Sequence, residues 1–255
     1  MTPRSLGWRP DPLDARDHSA HEKLGAGPIP PAATCRPYIL SVLDQGAASS
    51  CVANAVMQAV RADHVRQGIA NPQLGSRLFG YYMSRAYHTE AHNDAGTFLR
   101  TFFASLVKFG FCPETAWPYE LTDVNRMPAA DTFRLAFDQK TPTSYSRIMS
   151  QDGERILAIK RAIAAGHVVC FGTDVATDIF GDKGEVPIDP PVGKQIAGGH
   201  ALCVVGYDGD VFEVLNSWST AWGADGYCKF NADYLAWSGT RDLWIVESAP
   251  PMEIA

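Results

Sequence analysis

Four polar side chains suited to acyl transfer occur along the chain in the order Gln45, Cys51, His200 and Asn216. A thiol attacks an acyl carbon well only as the thiolate, so it needs a nearby imidazole to accept its proton. The imidazole needs a partner that fixes its ring, and the oxygen of an amide side chain can do this. A second amide can donate to a developing oxyanion. The set predicts nucleophilic catalysis at a carbonyl carbon.

Cys51 has a local setting that favours a reactive thiol over its alternative role, a small buried apolar residue. It begins a predicted helix, where backbone N–H groups and the helix dipole stabilise a thiolate, and Ser50 before it is a suitable N-cap. It lies about 100° from the centre of the apolar stripe, so it need not be buried with the core face. The small residues 46–50 before it would let a substrate backbone approach.

The other three residues each have a structural alternative that stays open at this point. Gln45 could be a surface turn residue, His200 a hydrogen-bonded structural histidine, and Asn216 the start of a turn. The alternation of a strand places His200 and Cys203 on opposite faces, so Cys203 is not the thiol partner of His200. The Gly-Gly pair before His200 and Trp218 after Asn216 suit a shielded site.

The elements that must position these residues change character halfway along the chain. Apolar spacing of three and four predicts helices over residues 51–66, 76–87, 97–109 and 152–165. Short runs rich in β-branched or aromatic residues predict strands over 168–173, 201–207, 211–215, 226–230 and 243–247. Residues 117–150 are expected to be irregular and to cross between lobes, and a long loop is expected over 178–199. Helices followed by strands indicate an α+β protein with two lobes.

Composition excludes several classes of protein. The chain has 255 residues, 46% hydrophobic and 20% charged, with a net charge of −6 and no long run of one sign. A nucleic-acid surface would show a basic patch, and a membrane span would need ~18 consecutive apolar residues. The first twenty residues lack the apolar core of a signal peptide. We expect no nucleic-acid or membrane partner, and a cytoplasmic location or export without a recognisable signal.

Metal and disulfide chemistry are not expected. The six cysteines are widely spaced without a secretion signal, and Cys170 and Cys203 lie in apolar strand contexts, so we expect all thiols to be reduced. His88 and His92 are four residues apart, but the acidic residue is misplaced for a zinc protease motif and no third ligand is evident. The sequence predicts no metal and no cofactor.

Residues 1–30 are polar and proline-rich and predict an extended arm. Trp8, followed by Pro10 and Asp11, stands out in it, because an exposed Trp would forgo about 2 kcal/mol of apolar burial. We expect Trp8 to dock on the globular body, either across a cleft or as a clasp between lobes. The alternative is a disordered tail.

Taken together, the blocks Gln45-Gly46, Ser50-Cys51, Gly199-His200 and Asn216-Ser217-Trp218 resemble papain-family (C1) cysteine peptidases. Val205-Gly206-Tyr207, Trp117-Pro118-Tyr119 and Trp222-Gly223 extend the match, which covers roughly residues 31–248 in family order. The short arm is most similar to that of bacterial peptidases of the xylellain type.

The resemblance implies a papain-like fold, with a helical left lobe, an antiparallel β-barrel-like right lobe and the cleft between them. The peptidase domain would span 31–250, the left lobe mainly 45–125 and the right lobe mainly 140–248. By resemblance, Cys51 is the nucleophile, His200 the base and acid, Asn216 the orienter and Gln45 the oxyanion-hole side chain. The same resemblance implies four substrate-binding residues, which are Gly96, Thr97, Gly199 and Trp218.

The chain departs from the family pattern around the nucleophile, where Ala48-Ser49-Ser50-Cys51-Val52 replaces the usual Cys-Gly-Ser-Cys-Trp, and at other places. Ala48 removes one half of a common left-lobe disulfide, Gly96-Thr97 replaces a double glycine that pairs with substrate backbone, and Ser219 replaces a glycine. The expected function is a cysteine peptidase that acts on peptides or proteins through a thioester. The alternatives are an amidase, transpeptidase or acyltransferase with the same chemistry, and a catalytically inactive binding module.

Overall fold

The computed structural model describes residues 4–25, 27–141 and 143–249. The expected domain bounds also include residues 1–3, 26, 142 and 250, which lie outside the described residues. All four predicted helices are present, within two residues at either end. Within the described ranges the helices are α1 (His21–Leu24), α2 (Cys51–Arg66), α3 (Arg77–Ala86), α4 (Leu99–Phe109), α5 (Ala130–Asp138), α6 (Asp152–Ala164) and α7 (Ala232–Ala236).

The strands form one antiparallel sheet with the order β2-β7-β3-β4-β5-β6, and β1 pairs with β4 outside that path. The five predicted strands correspond to β3 through β7. Their bounds are β1 (Ala32–Thr34), β2 (Thr143–Arg147), β3 (Val169–Ala176), β4 (Ile196–Asp208), β5 (Val211–Leu215), β6 (Tyr227–Asn231) and β7 (Thr240–Ser248). The described elements thus confirm an α+β fold with helices first and strands second.

Helix α2 is buried on nearly every side, which corrects two predictions. Cys51 has no exposed surface, although its angle from the apolar stripe predicted otherwise. The stripe is misleading because other elements cover the opposite face of α2 as well. The side chain of Ser50 does not cap the helix. Its hydroxyl instead bonds to the Tyr119 hydroxyl at 2.5 Å and accepts from Asn54 Nδ2 at 3.2 Å.

The segment 117–150 is not irregular throughout, as the sequence predicted, because it contains α5 and the strand β2. Helix α5 buries few side chains, among them Thr132 and Ala136, and Phe137 on it is largely exposed. Strand β2 has the hydroxyl-rich sequence TSYSR, and its position comes from backbone pairing with β7. The predicted loop 178–199 is also shorter, because β4 begins at Ile196.

The N-terminal arm lies against the body of the protein over much of its length. Trp8 is only 4% exposed. Backbone bridges join Trp8 to Thr97, just before α4, and Ser19 to Arg147 in β2. Among the described residues, no helix is long and apolar enough to cross a membrane.

Candidate active site

His200 and Asn216 lie on neighbouring strands and form a hydrogen-bonded pair. His200 is inside β4, and Asn216 directly follows β5. The distance from His200 Nε2 to Asn216 Oδ1 is 2.8 Å, and the same amide oxygen accepts from the Ser217 N–H at 2.7 Å. The second bond holds the Asn216 amide in place. With Nε2 used for Asn216, His200 Nδ1 is the nitrogen available to other groups, and it has no hydrogen-bond partner among the described residues.

Aromatic rings enclose this pair. The indole of Trp218 stacks on the imidazole of His200, with ring centroids 4.8 Å apart and planes 25° apart. Phe180 stacks on Trp218 at 5.2 Å, and Trp222 meets it edge-on at 5.2 Å. Trp218 and His200 have no exposed surface. The rings shield the hydrogen bond from water and fix the plane of the imidazole.

The thiol of Cys51 lies beside the strand that carries His200. Cys51 Sγ accepts a hydrogen bond from the N–H of Ala201, the next residue after His200, at 3.4 Å. Burial raises the pKa of the Cys51 thiol to about 11, although the nearby backbone amides of Ala201 and Gly7 act in the opposite direction. Burial also lowers the pKa of His200 to about 4, opposed by its bond to Asn216. Both groups are therefore neutral in this state at pH 7.

Gln45 is buried and uses both ends of its amide. Its Oε1 accepts from the Ser217 hydroxyl at 2.7 Å, which leaves the Nε2 group to donate. Nε2 donates to the carbonyl oxygens of Ala48 at 2.9 Å and of Ser5 at 2.8 Å. Ser5 belongs to the arm. The Ser5 carbonyl oxygen of the arm therefore accepts a hydrogen bond from Gln45 Nε2, the group expected to donate to the oxyanion.

The arm runs between the two backbone edges that the resemblance assigns to substrate. On one edge, Thr97 N–H donates to Gly7 O at 2.9 Å, and Arg9 N–H donates to Thr97 O at 3.0 Å. On the other edge, Trp8 N–H donates to Gly199 O at 3.1 Å. Gly96 has a φ of +73°, and a Cβ there would overlap Gly7 O. The backbone of the arm occupies the cleft in the manner of a bound peptide.

The indole of Trp8 fills a pocket whose walls include glycines. A Cβ on Gly172 in β3 would overlap the indole ring, and a Cβ on Gly199 would lie 2.7 Å from ring atom Cε3. The guanidinium of Arg241 lies over the ring, 5.4 Å from its centroid. The absence of two side chains thus creates the space that the indole takes. The sequence predicted Gly199 as a substrate-binding residue but not Gly172, because only the docked arm reveals its role.

A second anchor of the arm is an ionic cluster between α4, β2 and β7. Asp17 accepts from Arg100 at 2.5 Å and from Arg147 at 2.9 Å, and Arg147 also pairs with Asp242 at 2.5 Å. The N–H of Asp11 donates to Asp242 Oδ2 at 2.7 Å. The Asp17 and Asp242 carboxylates are nearly fully buried. The cluster ties the arm to helix and sheet at once.

The structure brings all eight sequence-predicted site residues to one cleft. His200 bonds Asn216, Gln45 bonds the adjacent Ser217, and Cys51 bonds Ala201, which follows His200. Trp218 covers the histidine, and Gly96, Thr97 and Gly199 contact the arm. His88 and His92 are elsewhere, in turns after α3, where they bond Thr101 and the Asn125 carbonyl. Within the described ranges, no cluster of three or more His, Cys, Asp or Glu side chains could hold a metal ion.

Such an arrangement can form and break an acyl bond to sulfur. The imidazole is oriented, it has one free nitrogen, and its neighbour in the strand donates to the thiol sulfur. A peptide carbonyl in the place of Ser5 O would face the Gln45 amide. Nucleophile, base, orienter and oxyanion donor are the parts required for acyl transfer by a cysteine.

Comparisons with known proteins agree with this chemistry. The model of the papain family cysteine protease matches residues 31–242. An uncharacterized peptidase C1-like protein of Acanthamoeba polyphaga mimivirus is 33% identical over 221 residues, which are 83% of this chain and 71% of that protein. Cathepsin L of Sarcophaga peregrina is 27% identical over 220 residues, 81% of this chain and 62% of that protein.

Solved structures lead to the same family. The cysteine protease xylellain from Xylella fastidiosa superposes with a TM-score of 0.84 at 28% identity, with 98% of this chain and 99% of that chain covered. Bromelain from Ananas comosus, solved with the inhibitor E64, has a TM-score of 0.66 at 18% identity, over 87% and 100% of the two chains, and shares the fold. The chain belongs to the papain family of cysteine proteases, and it is a hydrolase that cleaves peptide bonds.

Proposed function

We propose that Cys51 is the nucleophile of this peptidase and His200 its base. The Cys51 thiol gives its proton to His200 Nδ1, and the sulfur attacks the substrate carbonyl carbon. The C–N bond then breaks, the proton passes to the leaving amine, and water hydrolyses the thioester to regenerate the thiol. Asn216 holds the imidazole in orientation through Nε2. Gln45 Nε2 and the Cys51 N–H stabilise the oxyanion.

The docked arm keeps this machinery inactive. Its Ser5 carbonyl takes the Gln45 donor, and its Gly7-Trp8 backbone covers Cys51. The thiol and imidazole beneath it have shifted pKa values that favour the neutral pair over the thiolate–imidazolium pair needed for attack. Release of the arm would return water to the cleft and remove the main cause of both shifts. The observation that carries this proposal is the hydrogen bond from Gln45 to Ser5.

The arm has two anchors, and each supports one interpretation of its role. The first anchor is the Gly7-Trp8 segment in the cleft, and the second is the ionic cluster around Asp17. The contacts of Gly7 and Trp8 block the cleft. The contacts of Asp17 with Arg100 and Arg147 brace α4 against the sheet, as a clasp would. Opening the cleft therefore requires the first anchor to detach, and the second anchor opposes this by holding the arm in place. We propose that residues 4–9 are the gating part and residues 11–19 the bracing part.

The pocket of Trp8 indicates the substrate class. A peptide that displaces the arm must place a side chain where the indole lies, and the glycine walls leave room for a large ring. Burial of an aromatic side chain there contributes about 2–3 kcal/mol. We propose that this peptidase prefers peptide substrates with a large aromatic residue at this position. We also propose that the peptidase itself is bacterial, as its likeness to xylellain suggests.

Turnover of a fluorogenic peptide library by the purified full-length protein tests the proposal. We expect cleavage to favour peptides with an aromatic side chain at one fixed position from the scissile bond, and Cys51→Ala to abolish it. Cys112→Ala is the control and should retain activity, because Cys112 is an equally buried free thiol that lies beside Ser76 at the start of α3. Undiminished cleavage by the Cys51→Ala variant would exclude the proposed nucleophile.

A further inference from the structure

The loop that leads into Cys51 is held by a carboxylate from outside α2. The N–H of Ser49, two residues before Cys51, lies 3.0 Å from both carboxylate oxygens of Asp94. A hydrogen bond from an amide to a carboxylate is stronger than one between neutral groups. The carboxylate therefore fixes the backbone of the loop whose next residues provide the thiol and the Cys51 N–H.

The same carboxylate connects to the other side of the cleft through Tyr81 of α3. The Tyr81 hydroxyl donates to Asp94 Oδ1 at 2.7 Å, and the Gly96 N–H donates to the Tyr81 oxygen at 2.9 Å. Tyr81 has no exposed surface, and burial together with the Asp94 charge raises the pKa of its hydroxyl. The hydroxyl thus keeps the proton that the bond to Asp94 requires, and accepts from Gly96 at the same time.

Gly96 begins the edge that pairs with a peptide backbone in this structure. Thr97, next to it, exchanges two hydrogen bonds with the arm. The φ of +73° at Gly96 turns the chain so that Gly7 can approach, and the bond to Tyr81 holds that turn. Ser49, Asp94, Tyr81 and Gly96 form one continuous chain of hydrogen bonds between the nucleophile loop and the peptide-binding edge.

We propose that Asp94 and Tyr81 are positioning residues that couple the placement of Cys51 to the placement of the bound peptide. Neither residue reaches the reacting atoms. All six cysteines are free, so hydrogen bonds make this connection and no disulfide does. Asp94 acts on the nucleophile loop through Ser49, and Tyr81 acts on the edge through Gly96. The proposal rests on the roles proposed for Cys51 and for the cleft.

Each link has its own kinetic signature. Tyr81→Phe removes one oxygen atom and leaves Gly96 N–H without its acceptor, so we expect KM to rise about 3- to 10-fold with kcat nearly unchanged. Asp94→Ala releases Ser49, so we expect kcat to fall about tenfold or more. Asp94→Asn keeps an oxygen that can accept from Ser49, and should recover most of kcat. Because both links pass through Asp94, the fold loss of kcat/KM in the Tyr81→Phe/Asp94→Ala variant should be smaller than the product of the fold losses in the two single variants.

The experiment measures kcat, KM and melting temperature for these variants in full-length protein that carries Trp8→Ala, and again in the wild-type background. Tyr82→Phe is the matched control, because Tyr82 is the next residue of α3 and is also buried. Equal constants for Tyr81→Phe and Tyr82→Phe, multiplicative losses in the double variant, or a lower melting temperature with unchanged kcat and KM would each overturn the proposal. Failure of the proposed nucleophile would be visible separately, as turnover that survives Cys51→Ala.

Discussion

The Nε2 group of Gln45 donates a hydrogen bond of 2.8 Å to the main-chain oxygen of Ser5, forty residues earlier in the chain. Gln45 is fixed from its other end by Ser217, so its donor points to one place in the cleft. A carbonyl of the protein's own arm is thus bound where the proposed mechanism requires the carbonyl of a substrate.

Trp8→Ala should activate the full-length peptidase. The substitution removes a buried indole, which costs about 3 kcal/mol of docking and corresponds to a shift of on the order of 100-fold in the docking equilibrium. We expect turnover of a small fluorogenic peptide to rise about tenfold or more. Leu13→Ala is the control on the same arm, because Leu13 is 96% exposed. Equal turnover by wild type and Trp8→Ala would show that the arm does not gate the cleft.

Gly172→Ala should change both docking and substrate preference. The added Cβ overlaps the site of the Trp8 indole, so the arm should dock less and peptides with Trp at that position should be cleaved less well than peptides with smaller apolar residues. A peptide library varied at that single position measures the shift. Gly153→Ala is the control, because a Cβ at Gly153 meets nothing within 4 Å. An unchanged preference order would contradict the pocket assignment.

The arm should dock more tightly at low pH. Burial, followed by the charge of Asp242, raises the pKa of Asp11 in the docked state from 3.8 to about 7, against the amide of Arg100, the Trp244 N–H and the Arg100 charge. The nearby guanidinium of Arg147 pairs with Asp242 and Asp17. Because the pKa of Asp11 is higher in the docked state, protonation of Asp11 favours docking. This contribution to docking is complete below about pH 3.8 and is lost as pH rises to about 7.

Asp11→Asn tests this pH dependence because it cannot ionise and so resembles the protonated form. The ratio of its turnover to that of wild type cancels the intrinsic pH profile of the catalytic pair. We expect a ratio near 1 at pH 4 that falls below 1 above pH 7, where the wild-type arm loosens. Asp14→Asn should give a flat ratio, since Asp14 pairs with Arg16 inside the arm. A flat ratio for Asp11→Asn as well would refute the proposal that Asp11 makes docking of the arm pH-dependent.

Asn216→Ala should lower kcat of the Trp8→Ala protein while the fold remains intact. The substitution removes the acceptor that holds His200 Nε2, so the ring no longer presents Nδ1 steadily to the thiol. General base catalysis contributes about 10²–10⁴-fold, and we expect a loss of at least about tenfold. Circular dichroism checks the fold, and the exposed Asn71 provides a control in Asn71→Ala. A kcat equal to that of the Trp8→Ala parent across the pH range would exclude the orienting role of Asn216.

The sequence predicted the elements that bury most of their apolar residues and the identity of the polar residues in the cleft. Helix α2 and strands β3 through β7 are rich in such buried residues, which makes them recognisable. Helix α5 was missed because Phe133, Leu135 and Phe137 alternate as in a strand, and Phe137 is 75% exposed. Strand β2 was missed because its pairing with β7 uses backbone groups that no side-chain pattern encodes.

The burial of Cys51 could not be predicted from α2 alone. A helix pattern describes one face and says nothing about a segment that arrives from forty residues away. The same holds for Gly172, whose role depends on a ring that is 164 positions earlier in the chain. The candidate site could be predicted because its chemistry depends on side-chain types that the sequence states directly. The occupant of the cleft depends on tertiary contacts, which the sequence does not state.

Because the arm and the cleft belong to one polypeptide, the blocking segment is always present at an effective concentration on the order of millimolar, whatever the amount of protein. Diluting the sample cannot release it, unlike an inhibitor held by another molecule. A short peptide that reaches only the Trp8 pocket competes against this tethered segment at a disadvantage. A long, unfolded chain that binds both edges at once has more contacts with which to displace it. Under the proposed gating, the covalent link therefore favours long substrates over short ones.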